Sequence, residues 1–202
     1  PYGNGEAESG SLCRIYKSRK INWLPCVETK GEGILIILNE KRIKEWMSKS
    51  SARCNMILSN FEKLRQLRHW TGNVQPEYLL LHTISHLIIR SLAERSGYSE
   101  SSIKERIYCE ENNHAILIYT ASNSSEGSLG GLVKNSAKDD LLNIFMEVAR
   151  KSGTCSRDPL CIESDLEEGP IHTRLNGAAC YACSLLPEPS CENFNRMLDR
   201  KL

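Results

Sequence analysis

The densest run of apolar positions lies between Tyr78 and Leu92, where Leu79, Leu80, Leu81, Ile84, Leu87, Ile88, Ile89 and Leu92 fall on almost every side of a helical wheel. A helix that is apolar all round is a buried one. Pro76 suits a first helical turn and Gly97 a terminus, so the pattern predicts a central core helix from Pro76 to about Arg95. His82, Ser85, His86 and Arg90 interrupt the run and exclude it as a membrane span. Upstream, Gly33 to Leu38 (GILIIL) is a short continuous apolar run bounded by Gly and Asn, the mark of a buried strand. Helices are expected over Glu40–Ser48 and Met56–His69, and Ser99 is placed to cap a short one through about Glu105. Arg106–Cys109 and Ala115–Thr120, joined by a polar turn from Glu110 to His114, read as a β-hairpin. A Ser- and Gly-rich loop precedes a helix expected from about Gly131 to Lys151. Two last helical stretches, near Ala178–Leu186 and Cys191–Lys201, flank Pro187 and Pro189. The fold class is therefore α+β: predominantly helical around a central buried helix, with a small antiparallel sheet.

Composition narrows this picture. The chain has 202 residues, an apolar fraction of 40% and a charged fraction of 25%, ordinary for a soluble globular protein with a real core. A net charge of +1 leaves no global field for nucleic acid, so any such contact must come from local patches. One is the basic run Arg14, Lys17, Arg19 and Lys20, which otherwise reads as a solvated face. Residues 1–20 are expected to be a flexible, basic N-terminal segment and residues 21–202 a single domain, with a metal subregion over 152–202. Pro1 stands where an initiator Met would be, as expected of a piece of a longer polypeptide.

Nine cysteines without a secretory signal point to a reducing cytoplasm, with some thiolates on metal. Cys155 and Cys161 make one short-spaced pair, Cys180 and Cys183 a second, and Cys191 follows eight residues later. Two such pairs can present four thiolates to a structural Zn²⁺ with little loop entropy to lose. The segment between them has no apolar run that would order it otherwise. Buried free thiols and a redox-active CxxC are the competing readings. Cys191 is an alternative ligand, most plausibly in place of Cys155. Cys13, Cys26, Cys54 and Cys109 are isolated and read as simple thiols.

Two further features carry chemistry. His82 and His86, four apart, share one face of the core helix, the spacing that delivers two imidazoles to zinc in HExxH hydrolases. Thr83 stands where the catalytic Glu would be, so the base is missing. Buried hydrogen-bonding histidines, contact with a ligand or nucleic acid, and a second metal are the readings, with Glu126 as a candidate partner. The loop Ser125, Glu126, Gly127 through Gly130 and Gly131 precedes a helix N-terminus, whose free N–H groups suit a phosphate. It lacks the Lys-Ser/Thr of a Walker A motif, and Glu126 would repel an anion. A tight turn with close helix packing is the other reading.

These features occur in an order that resembles the DrmB family. The run Leu81-His82-Thr83-Ile84-Ser85-His86-Leu87-Ile88 is similar to that family's histidine helix. Gly97-Tyr98-Ser99, Glu105-Arg106-Ile107-Tyr108 and the loop from Tyr119 to Leu132 also match. The tail is more specific: Cys155-Ser-Arg-Asp-Pro-Leu-Cys161, Asn176-Gly-Ala-Ala-Cys180-Tyr-Ala-Cys183, Pro187-Glu-Pro-Ser-Cys191-Glu192 and Asn195-Arg-Met-Leu-Asp-Arg200. The resemblance runs from about Glu77 to Arg200 and is looser over residues 21–48.

DrmB proteins act in DISARM anti-phage defence, where they partner DrmA, a helicase-like ATPase, in a DNA-engaging complex. A zinc-binding domain of the same type ends MrfA-like repair helicases. The resemblance implies Zn²⁺ on Cys155, Cys161, Cys180 and Cys183. It also implies a non-catalytic, cytoplasmic, helicase-associated role with DNA as a further contact and no membrane. A metal-dependent hydrolase or nuclease using His82, His86 and Glu126, or a pure protein–protein scaffold, are the alternatives.

Overall fold

A computed structural model describes residues 26, 28, 30–68, 74–120, 130–163, 166–167 and 173–202. The basic N-terminal run lies outside them. The regular elements are β1 (Gly33–Ile37), α1 (Glu40–Arg68), α2 (Pro76–Ser96), β2 (Ile103–Glu110), β3 (Asn113–Thr120) and α3 (Lys138–Ser152). They bear out the α+β class, with a small antiparallel sheet beside a buried helix.

The sheet has the order β1-β3-β2, both pairs antiparallel, with Ile116 of β3 opposite Ile36 on one side and Ile107 on the other. Strand β1 alternates as its sequence requires. Ile34 and Ile36 face the core, while Leu35 and Ile37 face out. The hairpin turn is tighter than the expected Glu110–His114 segment. Glu110 pairs with Asn113, and Asn112 takes the left-handed backbone conformation (φ 57°) that two-residue turns demand. Gly31 lies so close to the end of β3 that a Cβ there would sit 1.7 Å from the Thr120 carbonyl oxygen.

Helix α2 packs against β2, α3 and α1 together, which is why it is apolar on every side. Leu81, Ile88, Ile89 and Leu92 join Ile103, Ile116 and Ile118 of the sheet and Ile144 of α3 in the main core. A second cluster of Ile57, Leu79, Leu166 and Met197 fills the space between α1, α2 and the C-terminal tail. Gly97, at φ 75°, closes α2 with its N–H bonded to the Ala93 carbonyl.

Four expectations are corrected. The two helices expected over 40–69 are one continuous α1, because tertiary contacts hold its middle: Cys54 is fully buried and Arg53 pairs with Asp199. The helix expected from Ser99 to Glu105 is only a single turn, Glu100–Ser102, and Glu105 belongs to β2. The helix expected from Gly131 begins instead at Lys138, after a short turn over Val133–Ser136. The two last stretches form no α-helix. Their backbone runs in turns, with Phe194, Asn195 and Met197 at positive φ. No described helix is long and apolar enough to cross a membrane.

Leu92→Ala, at a fully buried position, is expected to cost about 2–5 kcal/mol in urea unfolding. Leu35→Ala, on the open face of β1, is expected to stay within about 0.5 kcal/mol.

Candidate metal centres

The tail after α3 is shaped by short polar ties. Asp158 accepts the Cys155 N–H at 2.8 Å and pairs with the buried Arg200. The Cys180 carbonyl accepts N–H groups from Cys183, Ser184 and Leu185 at 3.0, 2.9 and 3.1 Å, folding Cys180–Cys183 into a tight turn in place of the expected helix. Asp199 accepts the Ala178 N–H at 3.0 Å, and its close approach to Gly177 leaves no room for a Cβ there.

These turns bring Cys155, Cys161, Cys180 and Cys183 together, each sulfur within 4.8 Å of the others. Cys155 and Cys180 are 3.5 Å apart, and Cys183 is 3.7 Å from both Cys161 and Cys180. A tetrahedral ion with bonds of ~2.3 Å sets neighbouring sulfurs ~3.8 Å apart, so these three separations suit a zinc-sized cation. They are free thiols, not disulfides. Backbone N–H groups of Arg157 and Cys180 point at Cys155 and Cys183 at 3.4 and 3.3 Å, the polarity that favours thiolate. Burial opposes ionisation of Cys180, but the Ala182 N–H and the surrounding thiols bring its pKa down to about 7. Burial pushes Cys161 upward, against the Arg200 guanidinium beside it.

Cys191 stands elsewhere. With His82, His86 and Glu105 it forms a separate, buried group whose ligand atoms also lie within 4.8 Å of one another. His82 Nε2 is 3.1 Å from Cys191 Sγ and 3.0 Å from Glu105 Oε1, and His86 Nε2 is 3.4 Å from the same oxygen. Burial disfavours an imidazolium at His82, yet Glu105 and Cys191 outweigh it and raise its pKa to about 10. Burial likewise opposes the Cys191 thiolate, but both histidines lower it to about 7. Glu105 is the residue sequence reasoning missed. Glu126, the candidate partner in the sequence, lies outside the described residues, and the pattern alone puts Glu105 at a helix end. Once it is placed in β2, period-two alternation turns it inward with Ile103 and Ile107, which is the signal that could have found it.

Of the Gly-rich loop, Ser125, Glu126 and Gly127 lie outside the described residues. At its described end, the backbone N–H groups that would suit a phosphate are already bonded. Glu32 accepts from Gly130 and Val133 through Oε2 at 2.9 and 3.0 Å, and from Leu132 through Oε1 at 2.8 Å. The Tyr98 hydroxyl donates to Oε1 at 2.8 Å, and its ring packs on Gly131, where a Cβ would meet it at 3.1 Å. A carboxylate from a residue about a hundred positions away thus fills this anion cradle.

Four thiols held on tight turns and able to close the shell of one tetrahedral ion define a domain organised around a candidate metal-binding centre. The chain belongs to the MrfA Zn-binding domain family, which it matches over residues 84–184. It is also 40% identical over 186 residues to the DISARM protein DrmB of Bacillus paralicheniformis, an alignment covering 90% of this chain. The chain spans about a third of that relative's length (33%). The DrmB resemblance read from the motifs is thereby shown.

Hydrogen bonds from Leu132, Val133, Tyr98 and Gly130 outweigh the burial of Glu32 and hold its pKa below the usual carboxylate value. A depressed folded pKa gives stability that is complete above the unfolded value of about 4.3 and is lost as pH falls through the folded one. Thermal unfolding across the acid range is therefore expected to show a smaller pH dependence in Glu32→Gln than in the parent. At neutral pH the same variant should be less stable by about 1–3 kcal/mol.

Proposed function

We propose that this chain is the zinc-binding part of a non-catalytic accessory protein in a DISARM-like anti-phage defence complex, where it supports a helicase-like ATPase partner and contacts DNA. Residues 21–202 act as one unit in this reading, with Zn²⁺ on Cys155, Cys161, Cys180 and Cys183. The observation that carries it is the closure of the tetrad. Four sulfurs at tetrahedral spacing fill the coordination sphere of zinc and leave no position for a reacting water. The similarity to a DISARM protein across nearly the whole chain supplies the biological setting.

Bound there, zinc would contribute a cross-link and a charge, not a reaction. Two hydrogen-bonded ties support that role. Arg200, its side chain fully buried, lies between the Ser152 carbonyl, Asp158 and the Cys161 thiol and offsets the negative charge of the thiolates. Asp199, next in the chain, joins the same segment to Arg53 of α1. The hydrolase reading is less well supported, because His82 and His86 are sealed from solvent.

Cys180→Ser is expected to lose zinc and cooperative folding together, since apparent binding energies at structural sites reach about 10–16 kcal/mol and are folding energy. Metal content by plasma mass spectrometry and circular dichroism read the two effects. A folded, zinc-free parent protein would refute the assignment.

For the nucleic-acid contact, affinity for duplex or single-stranded DNA, measured with the helicase partner present and absent, is expected to fall at least tenfold between 50 and 200 mM salt. Co-purification with the partner but no salt-dependent DNA binding would identify a protein–protein scaffold instead.

A further inference from the structure

We propose that His82, His86, Glu105 and Cys191 form a second metal site, closed and structural, that takes one Zn²⁺. Part of it lies outside the span matched by the family: His82 precedes residue 84 and Cys191 follows residue 184. It also draws on a different donor chemistry, one sulfur with two imidazoles and a carboxylate.

Hydrogen bonding alone leaves this cluster unresolved. The Nδ1 of His86 lies 2.8 Å from the Ser184 carbonyl, which can only accept, so Nδ1 carries the proton. In the neutral ring Nε2 is then a bare lone pair. It faces Glu105 Oε1 at 3.4 Å and is fully buried without a hydrogen-bond partner. His82 Nε2 meets the same oxygen and the Cys191 sulfur together, at 3.0 and 3.1 Å, so a single N–H would have to be shared between them. Protons must otherwise be shared among these four groups, and a divalent cation that displaces them satisfies all four at once.

The geometry suits zinc. Bonds of ~2.0–2.2 Å to nitrogen and oxygen and ~2.3 Å to sulfur place tetrahedral donors ~3.3–3.6 Å apart, so the three contacts of 3.0–3.4 Å need to open by only a few tenths of an ångström. The Ser184 carbonyl fixes the His86 tautomer in the way that ligating histidines are fixed. Ser85 Oγ donates to Glu105 Oε2 and leaves Oε1 turned to the imidazoles. The Cys191 sulfur accepts backbone N–H groups from Asn193 and Asn195 at 3.3 and 3.2 Å. The bond from the residue two places on repeats the one made to Cys155 in the tetrad, at 3.4 Å. Glu192, next to the thiol, is tied to β2 through Arg106 and the Ile107 N–H, both at 3.1 Å.

Charge agrees with this. Zn²⁺ with one thiolate, one carboxylate and two neutral imidazoles has no net charge, which suits a buried centre. With four protein ligands and no solvent access, the site has no open position for a substrate.

The full chain, expressed with zinc and purified without chelators, is expected to carry two Zn²⁺ by native mass spectrometry. Zinc-edge X-ray absorption should then report about 2.5 sulfurs per zinc, five thiolates shared by two ions, with nitrogen and oxygen completing each shell. Cys191→Ala is expected to drop the metal content from two to one and to raise the sulfur count to about four. A folded parent protein with one metal of any kind and about four sulfurs overturns this proposal and leaves the tetrad standing. One metal with a single sulfur does the reverse. The absorption measurement needs no variant, so misfolding of Cys191→Ala would not obscure the answer. Two zincs retained in folded Cys191→Ala would also overturn it.

Discussion

A helix buried on every side must find partners inside the protein for each polar group it carries, and α2 carries His82, Thr83, Ser85, His86 and Arg90. Leaving such groups unpaired would cost about 1–3 kcal/mol each, enough together to unfold a domain of this size. Almost all the partners come from the irregular C-terminal tail. Thr83 Oγ1 accepts the Asp199 N–H at 3.0 Å, His86 meets the Ser184 carbonyl, and His82 meets Cys191. At the helix edge, Arg90 donates to the Tyr181 and Leu185 carbonyls at 3.2 Å. Ser85 turns to the sheet, through Glu105, which both histidines also face. The tail is thus the second half of a polar interface whose first half is a stripe on the core helix.

This dependence explains why the tail holds its shape without regular secondary structure. Turns cannot order themselves cooperatively as a helix can, so their geometry has to come from cross-links and buried ion pairs. The thiolate tetrad gathers residues 155–183, and the adjacent pair Asp199 and Arg200 fastens that knot to the rest. Asp199 reaches Arg53 of α1, while Arg200 reaches Asp158 and the carbonyl ending α3. Among the described residues the main core reaches this region at Leu186, and the small cluster around Met197 lies beneath the rest. Polar and thiolate chemistry therefore contributes here what apolar packing contributes around α2.

Much of this was legible in the chain because some signals are local. The all-round apolar pattern of α2, its Pro and Gly limits, the GILIIL strand and the hairpin all follow from periodicities set by neighbouring residues. The short spacing of the cysteine pairs likewise constrains their reach before any fold is known. What stayed hidden depends on distance. Nothing near Ser50 announces that α1 continues, because burial of Cys54 and the Arg53–Asp199 pair decide it from 146 residues away. The cradle-filling role of Glu32 is a contact across about a hundred residues, and Cys191 joins the histidines instead of the nearer cysteines. Glu105 was misplaced for a different reason: a one-element error in secondary structure reverses which side chains face inward.

The two clusters also differ in what they ask of the chain. Joining Cys155 to Cys180 closes 25 residues, whereas joining His82 to Cys191 closes 109. Loop-closure entropy grows only as the logarithm of length, so the longer closure costs about 1 kcal/mol more. That increment is small beside what a metal cross-link or a satisfied buried network contributes. The difference in charge is larger. Four thiolates around a divalent ion keep two negative charges and need a cation such as Arg200 within reach, which places the tetrad at the partly exposed end of the fold. Cys191, Glu105 and two imidazoles can neutralise a divalent ion by themselves. Only a donor set of that kind can be placed against the fully buried face of α2, and that is where it lies.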